Sequence, residues 1–217
     1  MVLYLKSVKF IKKPSGSLRG FKMEDLTLSF SKVKLNKGIG AGGANTNLYG
    51  KKFEELTKFK LEGYTKKVLN KSNKNSYFNF KKVNDKDYAY VSQGNLVSFF
   101  KINYNIELFR YPDEAFIISD ENETVVKILE KKEQHVDGSV ETKLWAAVAL
   151  KREYELMLPN FKIEYAFCLN LFFKDKFENK SKKWEILHQI LTENKIQIFY
   201  GEDSDYFDKI NEWVYKI

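Results

Sequence analysis

The chain has 217 residues, 43% hydrophobic and 30% charged, enough for one sizeable domain with a core of its own. Its net charge of +8 and pI near 9.2 point to a polyanionic partner such as nucleic acid, although a general abundance of Lys and Asn accounts for the same excess. A single cysteine, Cys168, excludes an internal disulfide and suits a reducing cytosol, and with only two histidines it speaks against structural zinc. No apolar run approaches the roughly 20 residues of a membrane span and the N-terminus lacks a signal-peptide pattern. The expectation is a soluble, cytoplasmic protein with no membrane partner.

Residues 1–35 alternate short apolar runs with basic residues such as Lys12, Lys13 and Arg19, and read as strands or extended arms, Leu26–Leu35 among them. They would cover a sheet edge, or touch DNA backbone or a second subunit. Gly38–Gly50 (GIGAGGANTNLYG) reads as a flexible segment. Its glycines permit close approach to a ligand, and Lys37, Asn45, Thr46 and Asn47 can bond phosphates or bases. A plain mobile loop fits equally well. Without a Gly-Lys-Ser/Thr ending it is not a nucleotide P-loop. Lys51–Lys60 predicts a short helix with Phe53, Leu56 and either Thr57 or Lys60 on neighbouring faces. Residues 62–87 are lysine-rich with Tyr77, Phe78 and Phe80 interleaved, and read as a surface insertion. Basic residues with aromatics can grip nucleic acid. Tyr88–Val91 and Leu96–Phe109 predict strands.

Arg110–Lys132 (RYPDEAFIISDENETVVKILEKK) organises what surrounds it. Ala115–Ile118 is an apolar strand, Ser119–Thr124 is turn chemistry, and a β-branched run starts at Val125. Side chains alternate along a strand, so Val126, Ile128, Glu130 and Lys132 share a face. That places a carboxylate and an ammonium about 7 Å apart along the strand, and Asp113 can add a second carboxylate. Gln134 falls on the same face if the strand persists. Two acids and a lysine at a strand end suit metal-assisted phosphodiester hydrolysis: the acids hold Mg²⁺ and the lysine orients or activates the water.

Asp137-Gly138 predicts a turn, with Ser139 as N-cap of a core helix reaching about Leu156. His135 reads as a surface or turn residue. Phe161–Phe173 is the most apolar stretch and predicts a central, buried strand. A helix follows over Lys182–Glu193 with Trp184, Leu187 and Leu191 inward. Lys195–Tyr200 predicts a last strand, and Asp203–Ile217 a closing helix carrying Tyr206, Ile210 and Trp213.

Pro112-Asp113, sixteen residues, then Glu130-Lys131-Lys132 resembles the PD-(D/E)XK nuclease signature, and the surroundings most resemble a type II restriction endonuclease. Glu141-Thr142-Lys143, Glu178-Asn179-Lys180 and Glu193-Asn194-Lys195 also fit Glu-x-Lys, but no acidic strand precedes them. Gly50-x-x-Phe53-Glu54 resembles the family's upstream helix, whose glutamate reaches the metal cluster; here that is Glu54, with Glu55 the alternative. The resemblance spans roughly residues 38–200, its specific parts being Gly38–Glu54 and Pro112–Trp145.

It implies a mixed α/β (α+β) fold with a restriction-endonuclease-like core, a central mixed sheet flanked by helices, in a single domain over residues 1–217. It implies Mg²⁺-dependent, sequence-specific cleavage of double-stranded DNA to a 5′-phosphate and a 3′-hydroxyl. Asp113, Glu130 and Glu54 would be metal ligands and Lys132 the water-positioning group. Asn45, Asn47, Gln134 and Lys37 would touch DNA. A palindromic target would imply a homodimer, and a restriction enzyme would act beside a cognate methyltransferase. A repair or structure-specific nuclease of the same fold, or a basic nucleic-acid-binding module, stays open.

Overall fold

The computed structural model describes residues 44–179 and 181–216, all within the unit Gly42–Ile217. The predicted arms over residues 1–35, Lys37 and the glycines of 38–43 lie outside the described residues, as do the side chains of Asn45 and Asn47.

Helix α1 (Ala44–Leu56) leads into strands β1 (Thr65–Asn70), β2 (Asn73–Val83) and β3 (Lys86–Val91). Helix α2 (Gly94–Tyr104) separates these from the hairpin β4 (Glu114–Ser119) and β5 (Thr124–Lys132). Then come α3 (Val140–Trp145), α4 (Ala147–Met157), β6 (Lys162–Leu169), α5 (Leu171–Glu178), α6 (Lys182–Glu193), β7 (Ile196–Tyr200) and α7 (Tyr206–Tyr215). The strands form a seven-stranded sheet in sequence order, a mixed sheet flanked by helices as expected. The β1–β5 part is antiparallel: short turns reverse the chain between β1 and β2, β2 and β3, and β4 and β5, while α2 lies between β3 and β4. The pairs β5–β6 and β6–β7 are parallel, and the helices α3–α4 and α5–α6 make the crossovers that parallel pairing demands.

Alternation along the strands builds two cores. Ala115, Ile117, Val126, Ile128, Tyr165 and Phe167 face α2, α4 and α6. Phe116, Ile118, Leu129, Ala166 and Cys168 face α1 and α7, where Phe53, Ile210 and Trp213 cover them. Tyr206, Ile210, Trp213, Trp184, Leu187 and Leu191 are all buried, as their helical spacing predicts. Among the described residues no helix is long and apolar enough to cross a membrane.

Several segments differ from the sequence expectation. Leu96–Phe109 contains no strand: Leu96, Phe99 and Phe100 stand at i, i+3 and i+4 and are buried together on α2, so period overrides the β-propensity of the aromatics. Helix α1 begins at Ala44 and ends at Leu56 rather than spanning 51–60, which puts Asn45 and Asn47 in a helix and not a loop. Residues 62–87 do not stand apart from the sheet; they supply β1, β2 and the start of β3. The predicted helix to Leu156 is two pieces meeting at Ala146, although Ala146 N–H bonds the Thr142 carbonyl and Leu150 N–H bonds the Ala146 carbonyl. Strand β6 stops at Leu169, and Leu171–Phe173 opens α5, which the apolar run concealed.

Candidate active site

The β4–β5 hairpin closes on an Asp120 turn. Asp120 Oδ1 accepts the backbone N–H of Asn122 (2.8 Å) and Glu123 (3.0 Å), an Asx turn that fixes the register Ser119↔Thr124 through Glu114↔Leu129. The register brings Asp113, one residue before β4, beside the last residues of β5. Lys131 N–H donates to Asp113 Oδ2 at 2.7 Å. Asp113 is held from behind as well: Gln93 N–H donates to the Pro112 carbonyl at 2.9 Å, and Arg110 makes a two-pronged bond to Glu153 on α4 (2.9 and 2.8 Å). Gln93 adopts φ 46°, a left-handed conformation a non-glycine residue rarely takes, so this corner stores strain.

Lys132 Nζ bridges the two predicted acids, 2.6 Å from Glu130 Oε2 and 3.2 Å from Asp113 Oδ2. The 7 Å strand spacing is therefore closed by the bent lysine side chain. All three side chains are largely buried, 15–18% exposed. Burial alone would lower the Lys132 pKa, but Glu130 and then Asp113 outweigh it and hold the ammonium above its ordinary range. Burial raises the Glu130 carboxyl; Lys132 pulls it back, Asp113 pushes it up, and the balance lies above the usual carboxylate range. Glu54 is also raised, by burial first and by Asp113 second, with Lys131 and Lys132 opposing. Asp113's charge is thus felt at both acids. Glu55, the alternative auxiliary acid, is exposed.

Beside this triad lies a cleft of about 220 Å³ lined by Glu54, Lys58, Tyr90, Gln93, Asp113 and Glu114, among others. Its floor is a network the sequence reading missed. Glu114 (2% exposed) and Lys131 (5% exposed) face the α1 side of the sheet and pair at 2.8 Å. Glu114 Oε1 also accepts Phe59 N–H and the Tyr90 hydroxyl, both at 3.1 Å. Lys131 Nζ reaches the Glu54 carbonyl at 3.2 Å, which ties the last turn of α1 to β5. Glu114 Oε2 is buried with no partner among the described residues. The pair follows once β5 is seen to be flanked by β4 and β6: a lysine inside a buried strand has to find an acid, and Glu114 opens the neighbouring strand on the same face.

Gln134 lies two residues beyond the end of β5 and does not continue its face. Its Oε1 accepts Val140 N–H at 3.1 Å at the start of α3, the capping role expected of Ser139, which makes no such bond. The buried Asn170 holds the Gln134 backbone, its Nδ2 donating to the Gln134 carbonyl at 2.9 Å. His135 is exposed, 3.0 Å from Glu133 and edge-on to Tyr49, as a surface residue should be. Tyr154 and Tyr165 are buried within reach of the Glu130 charge. Burial and then Glu130 raise both phenols, so both stay neutral.

The acid oxygens of Asp113, Glu130 and Glu54 are the hard donors Mg²⁺ prefers. Among the described residues no group of three or more His, Cys, Asp and Glu converges tightly enough to hold an ion, and the Lys132 ammonium stands between two of the three acids. The donor chemistry fits; the positions drawn together are Asp113, Glu130 and Lys132, with Glu54 at their edge. No family model, curated protein or solved structure matches the chain.

Proposed function

We propose that this chain is a Mg²⁺-dependent, sequence-specific endonuclease of double-stranded DNA, of the restriction type and with a restriction-endonuclease-like core, acting as a homodimer on a palindromic site. The observation that carries the reading is the Lys132 bridge: one strand end and one strand start deliver a lysine between two half-buried carboxylates. Unlike the deeper Glu114–Lys131 pair, in which one cation meets one acid, this ammonium meets two acids, one of which lines the cleft. Asp113 and Glu130, with Glu54, would hold Mg²⁺, which when bound neutralises phosphate charge and acidifies water.

The chain's own groups have distinct tasks. Lys132 is held as an ammonium, so it donates: it orients the attacking water and offsets negative charge building on the phosphate. It does not take the proton. The water oxygen bonds to phosphorus and gives up a proton to solvent, the bond to the 3′ oxygen breaks, and that oxygen takes a proton from solvent, leaving a 5′-phosphate and a 3′-hydroxyl. The Glu114–Lys131 pair keeps α1, and with it Glu54, against the hairpin.

Supercoiled plasmid incubated with the full chain and Mg²⁺, followed by sequencing of the fragment ends, tests the reading. Discrete fragments with 5′-phosphate ends, lost in EDTA and in Lys132→Ala, are expected. Equal cutting in EDTA, or no cutting with Mg²⁺ or Mn²⁺, removes it.

A further inference from the structure

Among the described residues, whose basic and acidic side chains balance, positive charge gathers in one segment: Lys58–Lys74 holds six lysines against one acid, Glu62, a net of +5. All six lysines are exposed, and among the described residues none of them forms an ion pair. Elsewhere Lys82, Lys86, Lys101, Lys174 and Lys209 each pair with an acid. Three of the six lean on aromatic rings instead. Lys66 Nζ stands 3.8 Å from the Tyr77 ring centre, Lys67 Nζ 3.5 Å from Phe80, and Lys60 Nζ 4.3 Å from Phe207. A ring restrains the side chain and leaves its charge uncancelled.

Of the two strand lysines, Lys66 stands on the cleft side, while Lys67, opposite Phe78, stands on the other face of this edge strand, and both are exposed. Lys66, Asn79 and Tyr90 are cross-strand partners in one row of the sheet, and Tyr90 and Lys58 line the cleft with Glu54 and Asp113. At about 4.8 Å between strands, Lys66 lies about 10 Å from Tyr90, close to three rises of about 3.4 Å along duplex DNA. The hairpin tip, Asn70–Asn75, is wholly polar, so it offers nothing to insert into a bilayer.

We propose that the β1–β2 hairpin, with Lys58 and Lys60, is a second binding face that holds the phosphate backbone of duplex DNA flanking the cleft, without reading sequence. The polyanion face follows from charge and placement; the choice of duplex DNA rests on the proposed nuclease function.

Binding of the full chain to a labelled duplex, followed by fluorescence anisotropy in EDTA between about 50 and 200 mM KCl, tests this. Changing Lys66, Lys67, Lys71 and Lys74 together to Gln should flatten the dependence of log K on log[KCl] by about 3 to 4, at about 0.9 per lost phosphate contact. The loss should be equal for two unrelated duplexes. Arg at all four positions should restore the slope, and the exposed sites should leave the melting temperature unchanged. An unaltered slope, a wild type that binds no duplex at about 50 mM salt, or tighter binding to duplex RNA or phosphatidylserine vesicles overturns the proposal. Plasmid cleavage with Mg²⁺, run alongside, separates the two readings. Cleavage with an unaltered slope removes the hairpin and keeps the nuclease; an altered slope without cleavage does the reverse.

Discussion

Lys66-Lys67 and Lys131-Lys132 are the same dipeptide on two strands of one sheet, and they meet opposite fates. In β1, at the sheet edge, both lysines are exposed and lean on aromatic rings. In β5, flanked by β4 and β6, alternation sends one lysine into each core, and each is met by a carboxylate: Glu114 on one face, Asp113 and Glu130 on the other. Lys127, further back on β5, follows the same rule with Glu164 at 3.0 Å and the Trp213 and Lys216 carbonyls at 2.6 and 2.8 Å. Burial makes the difference. A charge taken out of water has to be paired and hydrogen-bonded, while an edge strand can leave it to solvent or to a partner. Position in the sheet therefore decides whether a lysine is paired with acids inside the fold or left to solvent.

The largest effect should come from breaking the deepest pair. Lys131→Met leaves Glu114 buried without its cation and releases the Glu54 carbonyl, so a loss of about 3–5 kcal/mol is expected in urea unfolding. Adding Glu114→Leu should recover much of it, because two apolar groups do not leave a charge stranded. If Lys131→Met unfolds at the wild-type midpoint, the pair does not hold α1 to the hairpin. Its neighbour should behave otherwise. Lys132→Ala is expected to slow phosphodiester hydrolysis at least about 10²-fold, the usual scale for a positioned catalytic group, and to leave the salt dependence of DNA binding as it was. Wild-type cleavage by that variant would make Lys132 a structural cation only.

The β4–β5 hairpin and its shared-face acids were legible because every signal there is local: an apolar run, an acidic turn and a two-residue period. Asp113, Glu130 and Lys132 follow from parity and one register. The Glu114–Lys131 pair was not seen, because both residues read as surface charges until β5 is known to be flanked and covered. Glu54 could be placed near the acids only through resemblance, since nothing local tells how α1 docks. Leu96, Phe99 and Phe100 carried a helical period that aromatic content disguised. Residues 62–87 looked detachable because their polarity suits an insertion, yet polarity is also what an exposed edge needs to avoid pairing with another sheet.

A third contrast uses pH. Glu130 sits above the usual carboxylate range in the fold, so the folded protein binds a proton more tightly than the unfolded chain does. Stability from this group is therefore fully present at low pH and falls as pH rises from about 4.3 through the raised folded value. Glu130→Gln cannot ionise and escapes that loss. In metal-free buffer the stability of Glu130→Gln relative to wild type should rise with pH over that window and then level off. Melting curves collected from acid to neutral pH would show it. A difference that is flat or shrinks with pH would mean that Lys132 fully neutralises the acid.

The smallest effect should be found in the matched substitution at the edge. Lys66→Gln removes an exposed charge and one ring contact worth roughly 0.5–1 kcal/mol at such sites. Glutamine keeps part of the aliphatic stem over Tyr77, so the net change in stability should stay within about 0.5 kcal/mol. If Lys66 meets a phosphate, the salt dependence of duplex binding should nevertheless fall by about 1. Lys131→Gln provides the counterpart: a clear drop in unfolding midpoint, because glutamine cannot neutralise Glu114. Urea midpoints and salt slopes for the two variants, measured together, should move in opposite patterns. A Lys66 variant as destabilised as the Lys131 variant would show that the edge lysine is a fold determinant, and the contrast between the two dipeptides would collapse.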